Sequence, residues 1–327
     1  MASTVNSAFN EFLRGTVRLD QNKVSKARAS CDNLISNLNG FSGDDNFFML
    51  LPDCHLKFGS FARRTKTRPL DDIDLMICLS AQGRTYTQLG DTYYINGLNS
   101  DKSNGLMKAN TDLLHSTKVI NRFIRKLRTL NDYSMADMHK NQEAATLKLK
   151  SYDWNFDIVP CWYMDIDKYL IPDGKGNWKL TDPRIDSQRT IDINRKHKGN
   201  LLDIIRITKY WNNRSNTYMM GSYLLECMIL EDYEKKAEKE SYWIDLEFRD
   251  LLEVLSRKIL NSVYDPKGIQ GDLNTFSYGE RANISNSLLN AYKKACEASK
   301  LDITDKNQKA AIIKWKEVLG YDFPDYS

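Results

Sequence analysis

Residues 57–79 read KFGSFARRTKTRPLDDIDLMICL, and this stretch decides the fold. It opens on Gly59-Ser60, passes through Arg63, Arg64, Lys66 and Arg68, and enters an apolar run from Ile73 to Leu79 that carries Asp72 and Asp74. A short run rich in Ile and Leu predicts a buried strand. On a strand, positions i and i+2 share a face. Asp72 and Asp74 therefore point the same way, and two like charges at the mouth of a core require a compensating cation. Hard oxygen ligands beside a phosphate-holding backbone call for Mg²⁺ or Mn²⁺. A solvated turn through Pro69-Leu70-Asp71-Asp72 is the competing reading, and Asp-x-Asp alone does not exclude it. The Gly-Ser pair upstream and the attached strand select the metal.

Working outward, His55 to Phe58 predicts a strand leading into Gly59-Ser60. Gly59 lets the backbone approach a phosphate, and Ser60 offers a hydroxyl and an amide. A helix starting there would add a favourable dipole. Phe156–Trp162 predicts a second buried strand, ended by Pro160. Asp157 lies inside it among apolar residues, where an acid must be paired or metal-bound. A lysine partner would suffice. Asp72 and Asp74 want a third oxygen donor, however, and Asp157 is read as completing a metal triad. Residues 145–149 predict a half-buried strand, and 169–180 a hairpin turning at Asp173-Gly174-Lys175-Gly176. Residues 80–110 are polar and rich in Gly, Asn and Ser, either a flap-like loop or hairpin or a featureless insertion.

Helices account for the rest. Residues 4–40 are helical twice, the second helix capped by Asp20, stopped at Asn39-Gly40 and read as a spine laid across the domains. Residues 111–130 are amphipathic, and their basic face, with Arg122 and Lys126, is read as solvated. From about 187 the pattern turns helical: 201–213 with Lys209, 221–233 with Ser222, then 242–262, 280–300 and 305–319. Taken alone, Lys209 reads as a surface lysine. The expected domains are 1–185 and 186–327.

The chain has 327 residues and a net charge of +4. That permits a basic groove without demanding nucleic acid. No apolar run approaches the ~20 residues that span a bilayer, and no signal peptide is visible. The six cysteines are scattered and form no zinc motif. They fit a reducing, cytoplasmic setting.

Three acids, a phosphate-holding turn and a downstream lysine are parts for phosphoryl transfer. In that reading Asp72 and Asp74 bridge two ions and Asp157 holds the one beside the nucleophile. Lys209 neutralises a triphosphate, and Ser222 adds a hydroxyl contact. The pattern G-S…D-D-I-D-L…F-D-I-V-P, a hairpin, then R-I-T-K-Y-W-N and G-S-Y-L-L-E resembles the polymerase-β-like nucleotidyltransferases. Within them it is similar to the bacterial cyclic-oligonucleotide synthases, the CD-NTase family, relatives of cyclic GMP-AMP synthase and oligoadenylate synthase. The resemblance covers most of the chain. It implies a bilobed α+β fold: a mixed sheet with helices, plus a C-terminal helical lobe closing an active-site cleft.

The same resemblance implies two Mg²⁺ ions joining NTPs through a linear intermediate into a cyclic product, most simply a cyclic dinucleotide. That product would signal to a cyclic-nucleotide-responsive effector in antiphage defence. By position, Gly59 and Ser60 hold donor phosphates, Asp72, Asp74 and Asp157 bind metal, and Lys209 and Ser222 contact the triphosphate. The four histidines lie apart from the cysteines, so no zinc-bearing DNA-sensor insertion is present, and nucleic acid is not required. Activity is then constitutive or set by a regulatory protein. Two readings stay open beside it: NTP transfer to RNA, tRNA or protein, and an inactive nucleic-acid-binding relative. Retention of all three acids speaks against the last.

Overall fold

In a computed structural model, residues 2–44, 46–97, 105–214, 218–239 and 242–327 are described. They divide into two units. One comprises Asp20–Arg63 and Leu70–Arg184, the other Met1–Leu19, Arg64–Pro69 and Ile185–Ser327.

The first unit is built on a mixed nine-stranded sheet. The strands are β1 (Leu56–Phe58), β2 (Asp72–Leu79), β3 (Tyr86–Leu89), β4 (Thr92–Ile95), β5 (Asp137–Asn141), β6 (Ala144–Lys148), β7 (Asn155–Tyr163), β8 (Tyr169–Pro172) and β9 (Trp178–Thr181). The main path runs β1-β2-β7-β8-β9-β4-β3, with β6 also on β7 and β5 on β6. β2 and β7 are parallel, while their other neighbours are antiparallel. Both are apolar on both faces beyond their first three residues, as strands covered on two sides must be. α2 (Gln21–Asn39), capped by Asp20 onto the Lys23 amide at 3.0 Å, lies wholly in this unit with α4 (Ser116–Leu127).

Pro160 does not end its strand as expected. β7 continues to Tyr163, with Pro160 opposite Ile77 on β2. On its other flank β6 pairs only as far as Ile158, and β8 begins at Trp162. Pro160 sits in that gap, where no ladder partner waits for the N–H it lacks. The 80–110 stretch contains the β3–β4 hairpin, and residues 98–104 of it lie outside the described residues. β5 was not anticipated, because of its side chains only Met138 is buried and no apolar alternation announces it.

The second unit is helical: α1 (Val5–Phe12), α5 (Pro183–Lys196) from Ile185 on, α6 (Leu201–Arg214), α7 (Ser222–Lys235), α8 (Ile244–Lys258), α9 (Tyr278–Ile303) and α10 (Gln308–Leu319). α9 opens on a capping box, Ser277 and Glu280 each bonding the other's amide. The expected 1–185 domain differs at its start, since Met1–Leu19 clusters with the helical unit. The reason is packing. Val5, Ala8, Phe9 and Phe12 form one apolar face, and Phe9 meets Trp315 and Phe323 with ring centroids 4.9 and 5.1 Å apart. The loop Arg64–Pro69 joins the same unit. The Arg206 guanidinium donates to the Arg64 carbonyl, and the Arg68 amide donates to the Val17 carbonyl at 3.1 Å.

Candidate active site

The acids come together through strand register. Asp74 on β2 is opposite Asp157 on β7, and Asp72 is opposite Asn155. Each of Asp72, Asp74 and Asp157 offers a carboxylate oxygen within 4.8 Å of the other two, and all three are half-buried. At an effective dielectric near 20, two full charges that close repel by on the order of 3 kcal/mol. Among the described residues no other trio of His, Cys, Asp or Glu gathers so closely. An all-oxygen, half-buried donor set of this kind fits a hard divalent cation such as Mg²⁺ or Mn²⁺.

Two neighbours shape the cluster. Thr146 faces Asp157 across the β6–β7 pairing, and its hydroxyl donates to Asp157 Oδ1 at 2.5 Å. Phe58 is opposite Asp74 in the β1–β2 register, which brings Gly59 against the Asp74 carboxylate. Gly59 has φ +73°, and a Cβ there would lie 1.8 Å from Asp74 Oδ2. Only glycine fits, by conformation and by space. Ser60 follows in the single helical turn α3 (Gly59–Ala62).

In the helical unit, Lys209 on α6 is 4% exposed, and its Nζ lies 2.8 Å from Glu226 Oε1 on α7. The hydroxyl of buried Thr65 donates to the same oxygen at 3.0 Å. Ser222 is the exposed first residue of α7, one turn before Glu226. Five sequence-derived residues, Gly59, Ser60, Asp72, Asp74 and Asp157, thus lie in the sheet unit. Lys209 and Ser222 lie in the helical unit.

No protein-family model matches the chain. Across 337 aligned residues it is 41% identical to a Bacillus cereus (strain VD146) protein named a probable cyclic nucleotide synthase, with 100% of this chain and 99% of that one covered. The chain belongs to the CD-NTase family. The CD-NTase fold is also that of two solved proteins. Escherichia coli MS115-1 CdnC, in complex with HORMA-deltaN, superposes with a TM-score of 0.70 at 16% identity, covering 98% of both chains. Vibrio cholerae DncV cyclic AMP-GMP synthase, with the linear intermediate pppA(3′,5′)pG, gives 0.68 at 12% identity over 99% and 98% of the chains.

Sequence reasoning missed two residues of this CD-NTase. Thr146 stands in an ordinary alternating strand, and only β6–β7 register reveals its partner. Glu226 was quoted within G-S-Y-L-L-E without a role; a lone acid in an apolar helix was the available signal. Lys209 is not the surface lysine that its helix alone suggests. No helix among the described residues is long and apolar enough to cross a membrane.

Proposed function

We propose that this CD-NTase joins nucleoside triphosphates into a cyclic oligonucleotide, most simply a cyclic dinucleotide. The observation that carries the reading is the convergence of Asp72, Asp74 and Asp157 within 4.8 Å. It is supported by the 41% identical relative named for cyclic nucleotide synthesis.

Asp72, Asp74 and Asp157 would hold Mg²⁺ or Mn²⁺, with Thr146 fixing the direction of Asp157. When bound, the metal supplies a lowered pKa for the attacking hydroxyl and neutralises the leaving pyrophosphate. Gly59 brings backbone amides close to the donor phosphates, and Ser60 adds a hydroxyl donor. Lys209 has three N–H donors, of which Glu226 accepts one; the others serve triphosphate oxygens. Ser222 offers its hydroxyl and the first amide of α7 to the same group. In this reading the sheet unit, Asp20–Arg63 and Leu70–Arg184, carries the metal-binding acids, and the helical unit carries Lys209 and Ser222.

The setting we propose is cytoplasmic antiphage signalling through an effector that reads the product. A regulatory protein partner is suggested by the solved complex of CdnC with a HORMA protein. The deciding experiment incubates the chain with each α-³²P-labelled NTP and Mg²⁺ or Mn²⁺, then applies phosphatase and mass spectrometry. A small phosphatase-resistant product is expected, and its mass and fragments identify bases, ring size and linkage. Label found only in RNA or protein would replace this reading with polymer or protein transfer.

A further inference from the structure

At the end of the sheet away from the acids, a pocket of about 560 Å³ is lined by Ala81, Arg84, Tyr86, Trp162, Tyr163 and Asp165, among others. Trp162 pairs with Leu79 in the same β2–β7 register that pairs Asp157 with Asp74. Five residues of strand, about 17 Å, separate the two levels. Trp162 is 3% exposed, and its indole Nε1 has no hydrogen-bond partner among the described residues. The Arg84 guanidinium lies over the Trp162 and Phe48 rings, 5.5 and 5.9 Å from their centroids. Its Nη1 donates to the Ala81 carbonyl at 3.1 Å, while its Nε is buried without an acceptor.

No carboxylate among the described residues pairs with Arg84. Asp165, the one acid in the lining, accepts from the Tyr86 hydroxyl at 2.9 Å. Burial accordingly lowers the Arg84 pKa, with no opposing charge to restore it. A half-buried cation without a counter-ion, its Nε enclosed beside a second orphaned donor, is an arrangement that an anion would relieve. The walls around it are aromatic. We propose that this pocket binds a small planar aromatic anion, its carboxylate or phosphate head on Arg84 and Trp162 Nε1 and its ring against Tyr86 and Tyr163. The site is separate from the acid cluster and does not depend on the catalytic reading.

The test titrates the purified full chain with 4-hydroxyphenylacetate, phenyl phosphate and neutral benzyl alcohol, by calorimetry and by ¹⁵N–¹H spectra of the tryptophan indoles. Either anion should bind at least about tenfold tighter than the alcohol. It should shift the Trp162 indole resonance, assigned with Trp162→Phe. Arg84→Met should weaken anion binding about tenfold or more while leaving Tm unchanged or higher, because it removes an uncompensated cation. Arg84→Lys should retain part of the affinity. Several results would overturn the proposal: equal binding of alcohol and anions, unaltered affinity in Arg84→Met, loss of binding in Asp72→Asn/Asp74→Asn, or no binding by wild type at about 1 mM. The wild-type indole spectrum decides the matter even should Arg84→Met fail to fold.

Discussion

Asp74 of β2 and Asp157 of β7 stand opposite one another in parallel register, and Asp72 completes a trio of carboxylate oxygens within 4.8 Å. Like charges held that close are the arrangement a divalent cation would bridge. Asp72→Asn with Asp74→Asn should therefore abolish NTP turnover, by at least about a thousandfold. Tm should change far less than activity, because the two amides keep the shape of the carboxylates. Assaying product and melting the same preparation checks both, and turnover persisting in the folded variant would refute the catalytic assignment.

The hydroxyl of Thr146 donates to Asp157. Outer hydrogen bonds of this kind typically carry ten- to a hundredfold in metal affinity. Thr146→Val keeps the side-chain volume and should cost about 1 kcal/mol of stability. It should raise the Mg²⁺ concentration for half-maximal activity about tenfold or more, with maximal rate recovering at saturating metal. An unchanged metal titration would show that Thr146 does not orient the carboxylate.

Gly59 combines φ +73° with a position that would place a Cβ 1.8 Å from Asp74 Oδ2. Gly59→Ala must strain the backbone and displace the carboxylate. A loss of more than about 2 kcal/mol in urea unfolding is expected, with activity falling further than stability because Asp74 moves.

Lys209 and Glu226 are both nearly fully buried and lie 2.8 Å apart. Removing Glu226 strips the buried Lys209 ammonium of its carboxylate, so Glu226→Ala should cost about 3–5 kcal/mol. Replacing both, as Lys209→Met with Glu226→Leu, should restore most of that stability. It should not restore turnover if Lys209 serves the triphosphate. Recovery of full activity in the double variant would reduce Lys209 to a structural role.

Burial lowers the His55 pKa to about 4. Its Nδ1 accepts from the Cys78 amide at 3.1 Å, and its other ring nitrogen lies 3.1 Å from Asn39 Oδ1. The folded state then binds fewer protons than the unfolded one between about pH 4 and 6.5, so stability rises with pH across that window. Allowing for its partial exposure, His55 contributes about 1–2 kcal/mol there. Asp245, raised to about 6 by burial, acts with opposite sign from its ordinary value up to that pH. Urea midpoints of wild type, His55→Gln and Asp245→Asn at pH 4.5 and 7 separate the two. A wild-type minus His55→Gln difference that does not shrink on acidification would contradict the His55 account.

Much of this site was legible because its signals are local. The Gly-Ser pair, the Asp-x-Asp spacing and the two apolar runs depend on strand alternation, which needs no knowledge of the rest of the chain. Helices α6 to α10 were legible for the same reason, from periodicity. β5 was not, because an edge strand with one buried side chain has almost no pattern to read. Pro160 misled because its tolerance depends on which flank of β7 lacks a neighbour, and that is set by where β6 stops and β8 starts.

From the sequence alone came the three acids of the candidate site, the face that Asp72 and Asp74 share, and the family. Folding decided how the strands align: Asp157 beside Asp74, Thr146 on Asp157, Lys209 buried on Glu226, and the first helix assigned to the helical unit. Neighbouring residues impose the former through backbone geometry. The latter arise from pairings between residues far apart in the chain, chosen only when the whole core closes.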